Sequence, residues 1–488
     1  MTVRQFFFKT GTGLSGPVSV LGLVLLLVAP LIRGGNRHVA LLLIEGLALL
    51  LLVFLAAFIL FPDATEREPD SVNGVSERFV VILLALSPLW IGIVQLTPLP
   101  PGVWVNLPGR DFYVQALSAI QMSAAVWRPI SLMPDATWLA VLAGLPLAAA
   151  FLMAYLVTGP QLTSLLRAIM LFAFLQALLG LLQVSLFRSL YFDAPAYGRA
   201  IGTFANPNHL ASYLAMSMPL TILALRQALR SLESRKRRRS RKLGIKSLVG
   251  KSGGSPLAAS FWGVALVVQV AGLVATQSRG GIATAILTSF AAVLLLPVSG
   301  VTRKMRWRLL AGAVVFTAAV MAAVGFDGIA SRVADSVGDG SRWEMIKGTW
   351  RGAMAFFPFG AGLGTFSGVF PRFQPEGFVG YASHAHSDYL QLFMEAGVLF
   401  IVLFGAAVWL VLKRIPALVE RLQVDPSDQD ALTLASCGLG LLAVFLHSWV
   451  DFNLRIPANA MLAVFLLGVV LRPLPYSAHV ASRGATTG

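Results

Sequence analysis

The sequence predicts an all-α membrane protein: a polytopic bundle of about twelve transmembrane helices with a helical loop on the outer side. Hydrophobic residues make up 57% of the 488 and charged residues only 12%, roughly half the charged share of a soluble domain. Apolar runs of about 20 residues, the length of a bilayer-crossing helix, recur about a dozen times. Barrel strands need only about 10 residues, so these runs are helices. The excess charge, +16 in total, is concentrated in one inter-span loop, the pattern of a chain oriented by its cytoplasmic basic residues.

In chain order, hydropathy places spans near 14–32, 38–61, 79–98, 137–158, 162–186 and 207–225, then 257–276, 281–298, 308–326, 388–412, 431–450 and 456–471. The first apolar run continues into Arg33-Gly-Gly-Asn-Arg37 and further spans, so it reads as a span and not as a cleaved signal. The spans starting at 207 and 456 are short, consistent with tilting, breaking or partial interfacial placement. The segment 99–136 opens Pro98-Leu-Pro-Pro101 and carries Trp104, Phe112, Tyr113 and Trp127, the composition of an amphipathic stretch lying at an interface. The segment 327–387 holds the polar run Asp335-Ser-Val-Gly-Asp-Gly-Ser-Arg342, a short helix expected over 343–356 and the turn Phe359-Gly-Ala-Gly-Leu-Gly364.

Eleven Lys and Arg residues lie between Arg226 and Lys251. Such a block can bind nucleic acid, but between two spans it acts as a topology determinant, with anionic lipid as a minor contact. No nucleic-acid partner is expected. The other Lys and Arg residues divide evenly between the two sides, so the orientation rests on this loop. Three regions follow: N-terminal transmembrane helices over 1–200, a second membrane region over 201–475 that includes the cytoplasmic loop 226–256 and the outer loop 327–387, and a cytoplasmic tail over 476–488. The lone Cys437 excludes intrachain disulfides and cysteine-based metal sites. No internal repeat is visible, which weighs against an inverted-repeat transporter.

Four outer segments carry polar residues that a membrane protein places at a cost. Tyr197-Gly-Arg-Ala-Ile-Gly-Thr-Phe-Ala-Asn-Pro-Asn-His209 runs straight into a span; it reads either as a capped loop with a snorkelling Arg199 or as a binding element with Asn208. Thr276-Gln-Ser-Arg-Gly-Gly281 is a sharp polar break with Arg279 at its tip, against the topological bias. Ser383-His-Ala-His-Ser-Asp388 sets His384 and His386 at the mouth of a span, with Glu395 close behind. A His-X-His pair can ligate zinc, but the other outer histidines, His209 and His447, are remote in sequence, and no metal is expected. His447-Ser-Trp-Val-Asp-Phe-Asn-Leu-Arg-Ile-Pro457 is a hairpin with Asp451 and Arg455, readable as a salt-bridged turn.

Arg199, Arg279, His386 and Asp451 thus come from four separate loops, all expected on one face. Two guanidiniums make a planar, permanently charged clamp for phosphate oxygens, and imidazole is a suitable proton acceptor. The combination fits a lipid-phosphate substrate and a hydroxyl nucleophile. A transporter or flippase of lipid-linked or anionic substrate is the alternative, but it should show charge near mid-membrane. A scaffold would tolerate replacement of these residues.

The Gly202-Thr-Phe-Ala-Asn-Pro-Asn-His209 box, the Gln277-Ser-Arg-Gly280 break and the His386-Ser-X9-Gly397 spacing resemble the O-antigen ligase and O-antigen polymerase superfamily, over roughly 195–460. The resemblance implies a GT-C-like inner-membrane glycosyltransferase without cofactors. It would move a glycan from undecaprenyl pyrophosphate to a glycan or lipid A core hydroxyl, metal-independently and with inversion, at the periplasmic face of the bilayer. It further implies His386 as general base, Arg199 and Arg279 as pyrophosphate ligands, and Asp451 as an orienting or charge-balancing group. Arg455 and Asn208 are expected to support these, while His384 has no counterpart in the family and is expected as a bystander or an alternative proton carrier in support. The ligase pattern ends in a small or Tyr residue where this chain has Phe400, a departure from the ligase branch within the wider family.

Overall fold

A computed structural model describes residues 15–60, 75–157, 159–185, 198–241, 255–295, 340–376 and 381–473, together with Arg308 and Ala311. Apart from those last two, the span expected near 308–326 lies outside the described residues, as do the polar run up to residue 339 and the tail 476–488. What is described is an all-α bundle, with one ladder of two residues per strand pairing Pro98–Leu99 antiparallel to Arg128–Pro129.

Among the described residues, six helices are long and apolar enough to cross a membrane, seven if one bent pair is counted as a span, and three shorter apolar helices accompany them. The bent pair, Val75–Ala85 and Ser87–Leu96, turns by 66° at a break followed by Pro88, where a missing backbone N–H and the pyrrolidine ring interrupt the helix ladder. His38–Leu60, Pro134–Leu156, Gly159–Ser185, Pro256–Ala275, Arg279–Leu295, Gln429–His447 and Pro457–Leu471 follow the expected spans to within a few residues.

Two elements differ from expectation. The span expected at 207–225 belongs to one continuous helix, Pro207–Arg241, of 35 residues; the basic stretch read as a loop prolongs this helix, because Arg, Lys and Leu are strong helix formers. Its first half is buried at the centre of the bundle, packing on Pro256–Ala275, Arg279–Leu295 and Gln429–His447. The span expected at 388–412 is two helices, Asp388–Ala396 and Val398–Val424, broken at Gly397. Gly397 has φ +57°, and a β-carbon there would collide with the Pro358 carbonyl oxygen. Only glycine fits that close approach in the left-handed region, so the short helix is severed from the membrane helix and stays at the mouth of the bundle.

The two ends of the bundle collect different loops. At one end Glu77 accepts from Lys413 and Arg414, each at 2.6 Å, and Arg226 donates to the Pro426 carbonyl at 2.7 Å. These are the loops expected inside. At the other end the two long outer segments fold against each other. The helix Gly340–Phe356 and the turns after it enclose a small core of Met345, Phe356, Phe366 and Phe370. Trp104 is buried with the guanidiniums of Arg110 and Arg128 each 5.6 Å from its ring, so it packs inside this unit, while Phe112 and Trp127 of the same stretch are exposed. Gln95, at the end of a spanning helix, donates to the Glu395 carbonyl at 2.9 Å and accepts from the Leu363 amide at 2.8 Å. It ties the membrane helices to the outer unit and to the C-terminal end of Asp388–Ala396.

Candidate functional site

The four polar segments meet at this second end. Arg199 precedes the helix Pro207–Arg241 and lies against the break between two other helices: the Ala200 amide donates to the Ala275 carbonyl at 2.9 Å, and Arg199 Nε donates to the Thr276 carbonyl at 2.8 Å. Its Nη2 donates to Asn208 Oδ1 at 3.2 Å. Asn208 Nδ2 in turn donates to Asp451 Oδ2 at 2.6 Å, and Asp451 Oδ1 faces His386 Nδ1 at 3.7 Å. A directional chain therefore runs Arg199, Asn208, Asp451, His386, through residues drawn from three separate segments.

Asp451 is almost fully buried. Burial alone would raise its carboxyl, but the contact with His386 and the amide of Phe452, which donates at 2.9 Å, help hold it well below the usual carboxylate range. It is an anion at neutral pH, aimed at one nitrogen of the imidazole. His386 keeps 30% of its side chain exposed, so the far nitrogen is the one open to a substrate. The backbone of His386 is left-handed, with φ +51°, an uncommon conformation for a non-glycine residue.

Four of the six histidines converge here. The Phe452 ring is flanked by His384 stacked at 4.5 Å, His209 edge-on at 4.9 Å and His386 edge-on at 5.0 Å between centroids. His209 and His447, remote in sequence, are thus neighbours of the predicted site. Burial, with Arg455 nearby, pushes His384 down to about 4, so it is neutral at physiological pH. Among the described residues no group of three or more His, Cys, Asp and Glu has the arrangement of a metal site.

Arg279 is the first residue of its helix and is exposed. The following turn packs on the histidine cluster: a β-carbon at Gly280 would approach His447 Nε2 to 2.9 Å. Arg199 and Arg279 therefore sit on the two sides of the same Thr276–Ser278 break. Arg279 also stands at a helix N-terminus, whose free amides favour anions.

Arg455 takes a different place. Its Nη1 forms an ion pair with Glu395 Oε2 at 3.0 Å and its Nε lies 4.0 Å from Asp388 Oδ1. Both carboxyls are fully buried. Two carboxyls sharing one guanidinium cannot both be matched, and burial pushes Asp388 up to about 7 against the pull of Arg455 and the Leu454 amide. Sequence reading does not single out Gln391, Phe452 or Gln95. A usable signal exists for the first, since Asp388, Gln391 and Glu395 recur at i, i+3 and i+7, one polar face of a helix.

The fold and the site define a multi-pass α-helical membrane protein with an arginine, histidine and carboxylate site at one end of its bundle. Residues 264–405 match the family model described as O-antigen ligase, which supports the O-antigen ligase and polymerase superfamily as the family of this chain. The match covers Arg279, His384, His386 and Gly397. Arg199, Asn208, Asp451 and Arg455 fall outside it and join the site through the fold. No curated protein matches the chain.

Proposed function

We propose that this protein is a metal-independent, inverting membrane glycosyltransferase. In this reading it moves a glycan from undecaprenyl pyrophosphate onto an acceptor hydroxyl, during polymerisation or ligation of O-antigen or exopolysaccharide. The observation that carries the reading is the chain from Arg199 through Asn208 and Asp451 to His386. With Nδ1 turned to a permanent carboxylate, Nε2 of His386 is left as acceptor for the proton of the attacking hydroxyl. As the hydroxyl oxygen bonds to the anomeric carbon, the glycosidic bond to pyrophosphate breaks and its electrons leave with the phosphate. Arg199 and Arg279 receive that charge, and Asp451 stabilises the imidazolium. The donor leaves readily, so positioning and charge stabilisation supply most of the catalysis.

The further particulars belong to the same proposal. They are a GT-C-like bundle of twelve spans in the bacterial inner membrane, with the site facing the periplasm and a glycan or lipid A core sugar as acceptor. Arg199, Arg279 and Asp451 lie in or beside the connections between helices at one end of the bundle, which favours an enzyme over the transporter or flippase alternative, where mid-membrane charge is needed. The test is His386→Ala in purified full-length protein supplied with lipid-linked glycan. Transfer should fall by about 10²- to 10⁴-fold while insertion and donor binding persist, and parent activity should resist chelators. A variant within about threefold of the parent, well inside that range, removes His386 as the base. Activity lost with EDTA and restored by a divalent ion points instead to a metal at His384 and His386.

A further inference from the structure

The left-handed backbone of His386 needs a restraint, and the structure contains one that uses neither a proposed pyrophosphate ligand nor the side chain of Asp451. Both sides of His386 are pinned. The Ala385 amide donates to Gln391 Oε1 at 3.2 Å, and the Asp388 amide donates to the Ser448 carbonyl at 3.0 Å. Gln391 Nε2 donates to Glu395 Oε1 at 3.1 Å, and the other oxygen of Glu395 is ion-paired with Arg455 at 3.0 Å. The Leu454 amide donates to Asp388 Oδ2 at 2.9 Å. The hydrogen bonds run donor to acceptor without a mismatch and end on the ion pair with Arg455, and Asp388, Gln391 and Glu395 are buried.

We infer that Gln391, Glu395 and Arg455 are positioning residues, a strut of hydrogen bonds and one ion pair that fixes the strained backbone of His386 against the hairpin carrying Asp451. Strained backbone persists only where its surroundings over-determine it, and here the strut reaches the peptide next to the histidine. Arg455 in this view is occupied by Glu395 and takes no part in holding pyrophosphate. The inference rests on the transfer reading for its kinetic arm but not for its structural arm.

The polarity of the strut supplies the test. Oε1 of Glu395 accepts from Gln391 and Oε2 faces the Arg455 guanidinium, whereas an amide offers only one acceptor, so Glu395→Gln must set its NH2 group against a donor at Gln391 or at Arg455. Gln391→Glu sets two carboxylates together. The double variant Gln391→Glu/Glu395→Gln restores the order. Its carboxylate at position 391 accepts from the Ala385 amide and from the new side-chain amide nitrogen at position 395, whose oxygen faces Arg455. Hydrogen exchange on the full-length protein in nanodiscs should show the amides of 383–388 exchanging faster in each single variant and returning towards the parent rate in the double. With lipid-linked glycan, kcat should drop about tenfold in each single variant, the scale of one lost hydrogen bond to a charged group. Donor KM should stay within about twofold and kcat should recover in the double.

Unchanged exchange at 383–388 in both single variants, or a double variant no better than the singles, overturns the strut. Arg455→Lys and Arg455→Met that raise donor KM at constant kcat make Arg455 a donor ligand and also overturn it. Should the parent transfer no glycan, the proposed function fails, while the exchange data still decide whether the strut holds the histidine loop.

Discussion

Replacing Asp451 by Asn tests the directional chain at its centre, because the change keeps size and shape while turning one acceptor into a donor. In the parent, Asn208 Nδ2 donates to one oxygen of Asp451 and the other oxygen faces His386 Nδ1. An amide at 451 has two orientations. If its oxygen accepts from Asn208, its NH2 group faces Nδ1, the imidazole must carry its proton on Nε2, and that nitrogen can no longer accept one from a hydroxyl. If its oxygen faces His386, its NH2 group meets the Asn208 NH2 group, and Asn208 must turn over and surrender its bond with Arg199. A hydrogen bond to a charged group is worth about 1.5–3 kcal/mol, and each 1.36 kcal/mol is about tenfold in rate. The second route therefore caps the tautomer penalty at about 10- to 150-fold, to which the lost carboxylate charge adds. We expect Asp451→Asn to lower kcat by at least about tenfold, and Asp451→Ala, which leaves the tautomer free, to be no worse. Steady-state transfer of lipid-linked glycan at matched protein level decides the matter. An Asn variant within about threefold of the parent, or one far more active than the Ala variant, refutes the chain as the source of His386 orientation, since both outcomes fall outside the range derived from the lost bond.

Arg199 uses two nitrogens of its guanidinium, on the Thr276 carbonyl and on Asn208; an ammonium lacks the planar fork that serves both. Arg199→Lys should therefore lose about tenfold or more in transfer despite keeping its charge, and Arg279→Lys should fail likewise if it grips pyrophosphate through paired bonds. Full activity in both, at normal protein level, leaves them as generic positive charge. Reporter fusions after Lys242 and after Gly377 should fall on opposite sides of the membrane, and the same side for both breaks the alternation on which the site's sidedness depends. For pH, two buried groups act in opposition. His384 titrates normally near 6.5 when unfolded and near 4 when folded, so the unfolded chain binds more protons between those values and stability falls on acidification across that window. Asp388 is raised from 3.8 to about 7, so the folded chain holds the extra proton and stability rises on acidification from about 7 towards 4. The parent should thus show little net change in thermal midpoint between pH 6.5 and 4 from this pair, and Asp388→Asn should unmask a steeper acid loss. A variant with the parent's slope shows that Asp388 takes up no extra proton in the fold across that window.

The polar boxes are legible because a membrane chain carries few charges outside its inner loops, so Arg199, Arg279, His386 and Asp451 stand out against apolar surroundings. That they share one face follows from counting spans. The joint between Asp388–Ala396 and Val398–Val424 is not legible, because a hydropathy window averages Leu390, Leu392, Phe393 and Met394 with the span that follows and hides the polar stripe of Asp388, Gln391 and Glu395. The helical course of the basic segment is hidden for the opposite reason: its charge suggests a solvated loop, although Arg, Lys and Leu favour helix. Sequence distance separates His209 and His447 from the His384 and His386 box, but that distance carries no weight once two buried helices pack side by side. The His386-Ser-X9-Gly397 spacing gains a physical meaning from these corrections. The nine residues are the short helix, the glycine is the only residue that passes the Pro358 carbonyl, and the break keeps the buried face of that helix turned towards Arg455. Spacing in this box is thus set by the need to seat a polar helix beside His386, independently of the chemistry the histidine performs.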